Sequence, residues 1–320
     1  MTTPQQIEII AHQQAALVPY VPLGKPAPGM AIARTLVSLT SPGTEINFNF
    51  LAKDGFPRRT GYASVVEVQE IGSDNPGVSL GDRFFCSEQH CSHVTITPSK
   101  CHNIPENLKP EIAVFCRLMA VSMSTMVTTT ARPPGRVLVT GLGPVGHLAA
   151  QIFSNIGYRV EGFDLLPERR KLLQEKGVTV LDKIEEGEIY DLAIECSGHE
   201  GGLLPAAKAV RNGGEVVMVG VPWRKNCDLS AHDILTVIFH RYIRVRTGWE
   251  WEVPMGRQSF GVGSLEENYH AALQWLTEGR INVDGLYDLA DPKDCQEVYS
   301  SLNTWTRKFM ATVFDWRKLD

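Results

Sequence analysis

The sequence predicts an α/β protein of two domains, a β-rich first part followed by a doubly wound parallel six-stranded sheet. Two observations carry this. The middle of the chain alternates short apolar runs with stretches of helical spacing, the pattern of a parallel sheet wrapped by helices. The first 118 residues are instead rich in Pro, Gly, Thr and Val, with turns at Gly72–Gly77 and Ser79–Asp82 between short runs. At 320 residues, the chain is long enough to fill two cores.

Val137–Thr140 reads as the first strand of the parallel sheet, and it runs straight into Gly141-Leu-Gly-Pro-Val-Gly146. A helix follows, with Val145, Leu148, Ala149, Ile152 and Phe153 on one face and Gly157 at its end. Arg159–Asp164 is the second strand and finishes in a carboxylate. A helix near 167–175 is expected to carry Arg169 and Arg170 on a solvated face. Val178–Leu181, Tyr190–Glu195, Glu215–Gly220 and Tyr242–Thr247 supply the other strands, with helices near 202–211 and 230–241. Leu265–Gly279 and 292–302 read as helices, and Phe309–Phe314 as a strand expected to rejoin the first domain. The expected domains are therefore 1–118 with 249–320, and 119–248.

A strand, a glycine turn and a helix form the arrangement that holds a dinucleotide pyrophosphate. Gly141 permits the tight turn, Gly143 lets backbone approach the phosphates, and Gly146 lets helix and strand pack closely. Leu142, Pro144 and Val145 complete the turn, and the helix start offers unpaired N–H groups to the anion. The alternative is a glycine-rich turn that holds nothing. Asp164 lies 18 residues past Gly146, where a carboxylate accepts the ribose hydroxyls and repels a 2′-phosphate. That favours NAD(H) over NADP(H), although Arg169 could accommodate a phosphate. The nicotinamide is expected against the carboxyl ends of the fourth and fifth strands, at Cys196, Ser197 and Gly198 and at Val219, Gly220 and Val221.

Composition narrows the partners. Hydrophobic residues make up 43% and charged residues 21%, with net charge −5, which leaves no electrostatic footprint for nucleic acid or an anionic membrane. No apolar run is expected to approach a membrane span, and the N-terminus lacks a signal-peptide pattern. Seven scattered cysteines point to reduced thiols and a cytoplasmic setting.

Several phrases make the reading specific: Val78-Ser-Leu-Gly-Asp-Arg-Phe84, Asp191-Leu-Ala-Ile-Glu-Cys-Ser-Gly198, Gly213–Gly220 and Leu276-Thr-Glu-Gly-Arg280. The chain resembles the medium-chain dehydrogenase/reductase (zinc alcohol dehydrogenase-like) superfamily. Ser41-Pro-Gly-Thr-Glu45 and Thr60-Gly-Tyr-Ala63 resemble its bacteriochlorophyllide a dehydrogenase-like branch. The resemblance implies a discontinuous GroES-like catalytic domain, a Rossmann nucleotide domain, and a homodimer through the sixth strand.

The departures from that pattern matter as much. Where zinc members carry a cysteine, this chain has Ser41 or Pro42. Where they carry Gly-His-Glu, it has Gly61-Tyr62-Ala63, and their third ligand region falls at Arg117–Ala120, which offers no Cys or Glu. The four-cysteine structural lobe is also missing. Catalytic zinc needs three protein ligands and an open position. Cys86, His90, Cys91 and His93 are a rival metal cluster, though their spacing matches no common knuckle and packed thiols are the plainer reading.

Without zinc, a hydrogen-bond donor must manage the reacting oxygen. The resemblance places Thr44 where alcohol dehydrogenases relay a proton and Tyr62 where the histidine ligand stood. It places Glu45 where an acid supports that histidine. We expect Tyr62, assisted by Thr44 and Ser41, to serve the reacting oxygen, with Glu45 hydrogen-bonded to Tyr62; the alternative is a structural pair filling a dead metal cavity. Trp223, Trp249 and Trp251 are expected either to line a cleft for a bulky or ring-containing substrate or to serve simple packing. The leading expectation is zinc-independent, NAD(H)-linked interconversion of an alcohol and a carbonyl. Reduction of an activated C=C bond is a rival, as is a nucleotide-binding sensor without chemistry.

Overall fold

The computed structural model describes residues 3–21, 23–187 and 189–319. The chain forms two compact units, 1–117 with 283–320, and 118–282. The expected boundary near 118 lies within a residue of the observed one, while the second moves from 249 to 283. The cause is the helix Leu265–Thr277, which buries Leu265, Asn268, Tyr269, Ala272, Leu273 and Leu276. Its Asn268 donates to Ser124 Oγ at 3.2 Å, and Asn282 N–H donates to Gln151 Oε1 at 2.8 Å. These bonds fasten residues 249–282 to the nucleotide-type unit.

The first unit is built on a seven-stranded mixed sheet. Its order is Tyr287–Ala290, Ala311–Asp315, Ala31–Leu39, Ser64–Ile71, Arg83–Cys86 and His102–Asn103, with His93–Ile96 pairing to Ala31–Leu39. Eight of the nine positions of Ala31–Leu39 are buried, which explains its nearly unbroken apolar run, AIARTLVSL. The terminal strand pairs antiparallel with Val37–Leu39, so it rejoins this unit as its apolar sequence implied. A three-stranded sheet holds the hairpin Gln5–Ala11 and Gln14–Pro19 with Arg58–Arg59. Ile7, Ile9, Phe50, Val298, Tyr299, Phe314 and Trp316 pack in the core beside it.

The second unit is a parallel six-stranded sheet. Its order is Thr179–Val180, Arg159–Phe163, Arg136–Thr140, Tyr190–Glu195, Val210–Met218 and Arg244–Thr247. The order reverses between the strands ending at Thr140 and Glu195, which makes a topological switch point. The last strand is an edge strand as expected but starts two residues later than expected. Tyr242 is instead a left-handed residue (φ 52°) that ends the helix Ala231–Arg241.

One expectation needs correcting. The helical run Pro110–Thr128 is long and apolar enough by composition to cross a membrane, with mean hydropathy 1.4. It is 67% buried inside the protein, which accounts for its apolar character as core packing.

Candidate functional site: a glycine turn and a hydroxyl cluster

The glycine turn is shaped by close backbone approach. Gly141 has φ +79°, which a residue with Cβ rarely adopts, and an added Cβ would meet Ser197 N at 2.5 Å. A Cβ on Gly146 would lie 2.0 Å from Gly141 O, so the helix Pro144–Asn155 can start here only without a side chain. A Cβ on Gly143 would meet nothing within 4 Å. The space above this residue, at the helix start, is open on the protein side. This fits a pyrophosphate cradled by the turn and the first helical N–H groups.

Asp164 closes the turn from the next strand. Its carboxylate accepts from Leu142 N–H at 2.7 Å and Leu166 N–H at 2.9 Å, which fixes it at the strand end. Arg169 lies 3.4 Å from the same carboxylate, and Arg170 donates to Asp164 O at 2.7 Å and to Asp182 at 3.2 Å. Their side chains are only 15% and 16% exposed. They are therefore not the solvated face expected of them; fixed acceptors at the strand end draw both guanidiniums inward.

The two strand ends expected to hold the nicotinamide lie together beside the glycine turn. Gly141 abuts Ser197, and Gly220 packs so closely on Gly198 that a Cβ on it would lie 2.2 Å from Gly198 N. Glu195, which the sequence reading left as a strand residue, organises this junction. It is 2% exposed and accepts from Ser197 N–H at 2.8 Å, Gly198 N–H at 3.1 Å and the Ser197 hydroxyl. Burial raises its carboxyl while those donors pull it back. A carboxylate directly after the apolar run Leu192–Ile194 was the available signal. Cys196 and Val219 flank the junction, and burial pushes the Cys196 thiol well up. Val221, Trp223, Trp249 and Trp251 are exposed on this unit.

In the first unit, Pro42–Thr44 makes one helical turn that continues as a π-helical turn over Glu45–Phe50. Thr60-Gly61 brings Tyr62 beside it. Gly61 has φ +90°, and a Cβ there would strike the His90 ring at 2.6 Å. The Ser41 and Thr44 side chains neighbour the Tyr62 phenol, and the Arg117 guanidinium lies over its ring at 4.7 Å. Burial raises the phenol pKa; Arg117 and the two hydroxyls oppose this without cancelling it. The phenol therefore keeps its proton at neutral pH.

Glu45 differs from expectation. Rather than facing Tyr62, its carboxylate is enclosed by His90 Nε2 at 3.0 Å, Thr60 Oγ1 at 2.9 Å, Tyr299 O–H at 2.5 Å and Ser41 N–H at 2.6 Å. Four donors converge on a side chain only 1% exposed, and none is Tyr62. Burial alone would raise this carboxyl; the His90 ring, Tyr299 and Ser41 hold it below its ordinary value. The network continues outward, with His90 Nδ1 2.7 Å from Ser38 Oγ, which accepts from Trp316 Nε1–H at 2.8 Å. The sequence showed a carboxylate and a distant histidine, but nothing in their spacing of 45 residues joined them.

Metal binding can be tested on these residues. The place where the resemblance puts zinc ligands holds hydroxyls and a guanidinium, whereas zinc takes thiolate, imidazole or carboxylate. That donor set does not fit a zinc ion. The rival Cys86, His90, Cys91 and His93 cluster does not assemble either, because the His90 ring is committed to Glu45 and Ser38. Among the described residues, one group gathers potential ligand atoms within 4.8 Å of one another: His199, Glu200 and Cys227. There, His199 Nδ1 already accepts from Gly201 N–H at 2.9 Å as the cap of helix Glu200–Ala209.

Comparison with known proteins agrees with this geometry. Residues 144–249 match the zinc-binding dehydrogenase family. An L-threonine 3-dehydrogenase of Marinomonas sp. (strain MWYL1) is 24% identical over 210 residues, 52% of this chain and 61% of that protein. The chain spans about three fifths or less of the length of the first curated relatives it matches. Among solved structures, a Sinorhizobium meliloti 1021 chain bound to NADP superposes with TM-score 0.80 at 16% identity, covering 98% of this chain and 100% of its own. Acetophenone reductase from Geotrichum candidum in complex with NAD gives 0.79 at 15% identity, with 98% of both chains covered. Residues 144–249 thus resemble the zinc-binding dehydrogenase family, and the chain as a whole shares the fold of these solved structures.

Proposed function

We propose that this protein is a zinc-independent, NAD(H)-dependent oxidoreductase that interconverts an alcohol and a carbonyl on a bulky or ring-containing small molecule. The observation that carries the reading is the Tyr62 phenol, set beside the Ser41 and Thr44 side chains and under Arg117, at the position where the resemblance puts a zinc ligand. A bound nicotinamide would supply or accept the hydride. Gly141, Leu142, Gly143, Pro144, Val145 and Gly146 would cradle its pyrophosphate, and Asp164 would receive a ribose hydroxyl.

The chain's own groups would then manage the proton. In reduction, Tyr62 O–H donates to the substrate oxygen as negative charge builds there, and the Thr44 and Ser41 hydroxyls return a proton to the phenol. The Arg117 cation beside the ring stabilises the phenolate formed in that step. Oxidation runs the same path backwards. Glu45 does not touch the reacting oxygen in this scheme; it acts as a positioning residue, anchoring Ser41 N–H and the Thr60 hydroxyl just before Gly61 and Tyr62.

Preference for NAD(H) rests on the Asp164 charge, which disfavours a 2′-phosphate. Trp223, Trp249 and Trp251 would supply apolar surface for the substrate. A homodimer through the edge strand Arg244–Thr247 is supported by the adjoining helix Ala231–Arg241, which buries no residue and leaves Leu235, Phe239 and Tyr242 at 59%, 76% and 80% exposure. Such apolar exposure suits a partner surface. A cytoplasmic, reducing setting suits seven unpaired thiols.

The test is turnover with NADH and NADPH against panels of ketones, alcohols and enones, using wild type and Tyr62→Phe. Ketone or alcohol turnover lost in Tyr62→Phe supports the scheme. Activity confined to enones would assign C=C reduction instead. Cofactor binding with no turnover anywhere would make the protein a nucleotide sensor.

A further inference from the structure

The first unit holds a pair of thiols that no step above uses. Strand Arg83–Cys86 pairs antiparallel with His102–Asn103, with Phe84 opposite Asn103 and Phe85 opposite His102. One more step of this register sets Cys86 opposite Cys101. The kind of pair also follows. Ile104 N–H donates to Arg83 O at 3.0 Å, which makes 83/104 a hydrogen-bonded pair. Alternation then makes 86/101 a non-hydrogen-bonded pair, the class in which opposing Cα atoms come to about 4.5 Å and side chains approach most closely. A disulfide requires a Cα separation of roughly 4.4–6.8 Å. Both cysteines are free thiols, Cys86 donating to Ser64 O at 3.8 Å and Cys101 to Thr97 O at 3.4 Å, and the two are close enough to shift each other's titration.

We propose that Cys86 and Cys101 are a reversible oxidation site, closing a cross-strand disulfide when the protein meets a peroxide. The pair is asymmetric in a useful way. Cys101 is partly exposed, whereas Cys86 is 5% exposed. The contact with Cys86 holds the Cys101 thiol below its ordinary value, and the same contact with burial pushes Cys86 well up. Cys101 is therefore the group that reacts first, being the more exposed sulfur and the thiol held lower of the two. Its sulfur attacks hydrogen peroxide, forming an S–O bond as the O–O bond breaks and hydroxide leaves to take up a proton. Cys86 sulfur then attacks the sulfenic sulfur, forming the S–S bond as the S–O bond breaks, and its proton leaves with that oxygen as water. In sum, two thiols and one peroxide give one disulfide and two waters.

The bond would close residues 87–100 into a loop. That loop carries His90, whose ring holds Glu45. Cys86 also stands opposite Ser64, two residues past Tyr62. The site is thus coupled by covalent and sheet connections to the hydroxyl cluster.

The test uses the full chain, fully reduced, then treated with excess hydrogen peroxide, alkylated under denaturing conditions and mapped by mass spectrometry. We expect alkylatable thiols to fall from the seven in the sequence by two. The map should show a Cys86–Cys101 link, and dithiothreitol should restore both thiols. Cys91→Ser should keep the link, and Cys101→Ser should abolish it while remaining folded, since Cys101 sits at the half-exposed end of the pair. Seven intact thiols after treatment would overturn the proposal. So would a Cys86–Cys91 link, or Cys101 passing to sulfinic acid with Cys86 still free.

Discussion

The glycine turn of the nucleotide-binding unit and the Tyr62 cluster of the first unit are built from opposite materials. The turn is almost entirely backbone: three glycines, helical N–H groups and the approach of Ser197 and Gly198, held by two carboxylates, Asp164 at Leu142 and Glu195 at Ser197 and Gly198. The Tyr62 cluster is almost entirely side chain, assembled from residues 38, 41, 44, 45, 60, 62, 90, 117, 299 and 316. A backbone site tolerates few substitutions at its glycines and many elsewhere. A side-chain network can change its chemistry one residue at a time while the fold persists. On the proposed reading, that difference would let the fold carry a phenol and a guanidinium where the resemblance puts metal ligands.

Mutations should separate the two kinds of site. Gly146→Ala should have the largest effect, because its Cβ must displace Gly141 O, 2.0 Å away. We expect at least about 3 kcal/mol of destabilisation and NADH affinity reduced more than about tenfold, read by thermal unfolding and fluorescence titration. Near wild-type NADH affinity in this variant would show that the turn relaxes cheaply and would blur the contrast.

Glu45→Gln comes next. Removing one partner of a buried His–carboxylate pair leaves His90 and Tyr299 poorly satisfied, at a cost of about 3–5 kcal/mol. The pH dependence has a definite sign. The folded carboxyl lies below its ordinary 4.5, so its contribution is present above that pH and is lost as pH falls through the folded value. Wild type should lose that stability in acid, whereas Glu45→Gln should not. Equal acid sensitivity in both would remove Glu45 from the account.

Tyr62→Phe should leave stability within about 1 kcal/mol and cut kcat about a hundredfold or more, with the KM for NADH unchanged. Matching losses in stability and turnover would mark Tyr62 as structural.

His147 offers a comparable effect of a different kind within the turn's own helix. It is fully buried, its Nε2 faces Arg169 O at 3.1 Å, and its Nδ1 has no hydrogen-bond partner. Burial lowers its pKa from 6.5 to about 4. The unfolded chain therefore binds more protons than the native one between those values. Stability should fall by about 3 kcal/mol as pH drops through that window. Chemical denaturation of wild type and His147→Leu across pH 4–7 would read it, the variant showing a flatter profile.

The smallest effect belongs to Asp164→Ser. Loss of the charge should shift the NADPH-to-NADH preference by about tenfold, with Arg169 released from its ion pair. No change in preference would mean that Arg169 and Arg170 already set it.

What the sequence determined was whatever local chemistry dictates. The six strands, the glycine turn, its helix and the carboxylate ending the next strand all follow from periodicity and from φ values that glycine alone adopts readily, so they could be placed by neighbours within about 20 residues. Tertiary structure decided what depends on distant partners. It enclosed Glu45 with His90 and Tyr299, 254 residues away in the last case, instead of with Tyr62. It drew Arg169 and Arg170 onto the strand end and joined residues 249–282 to the nucleotide unit through a helix whose apolar face fits either neighbour on composition alone. Buried polar groups must find partners wherever the fold supplies them, and no local spacing rule records which ones those will be.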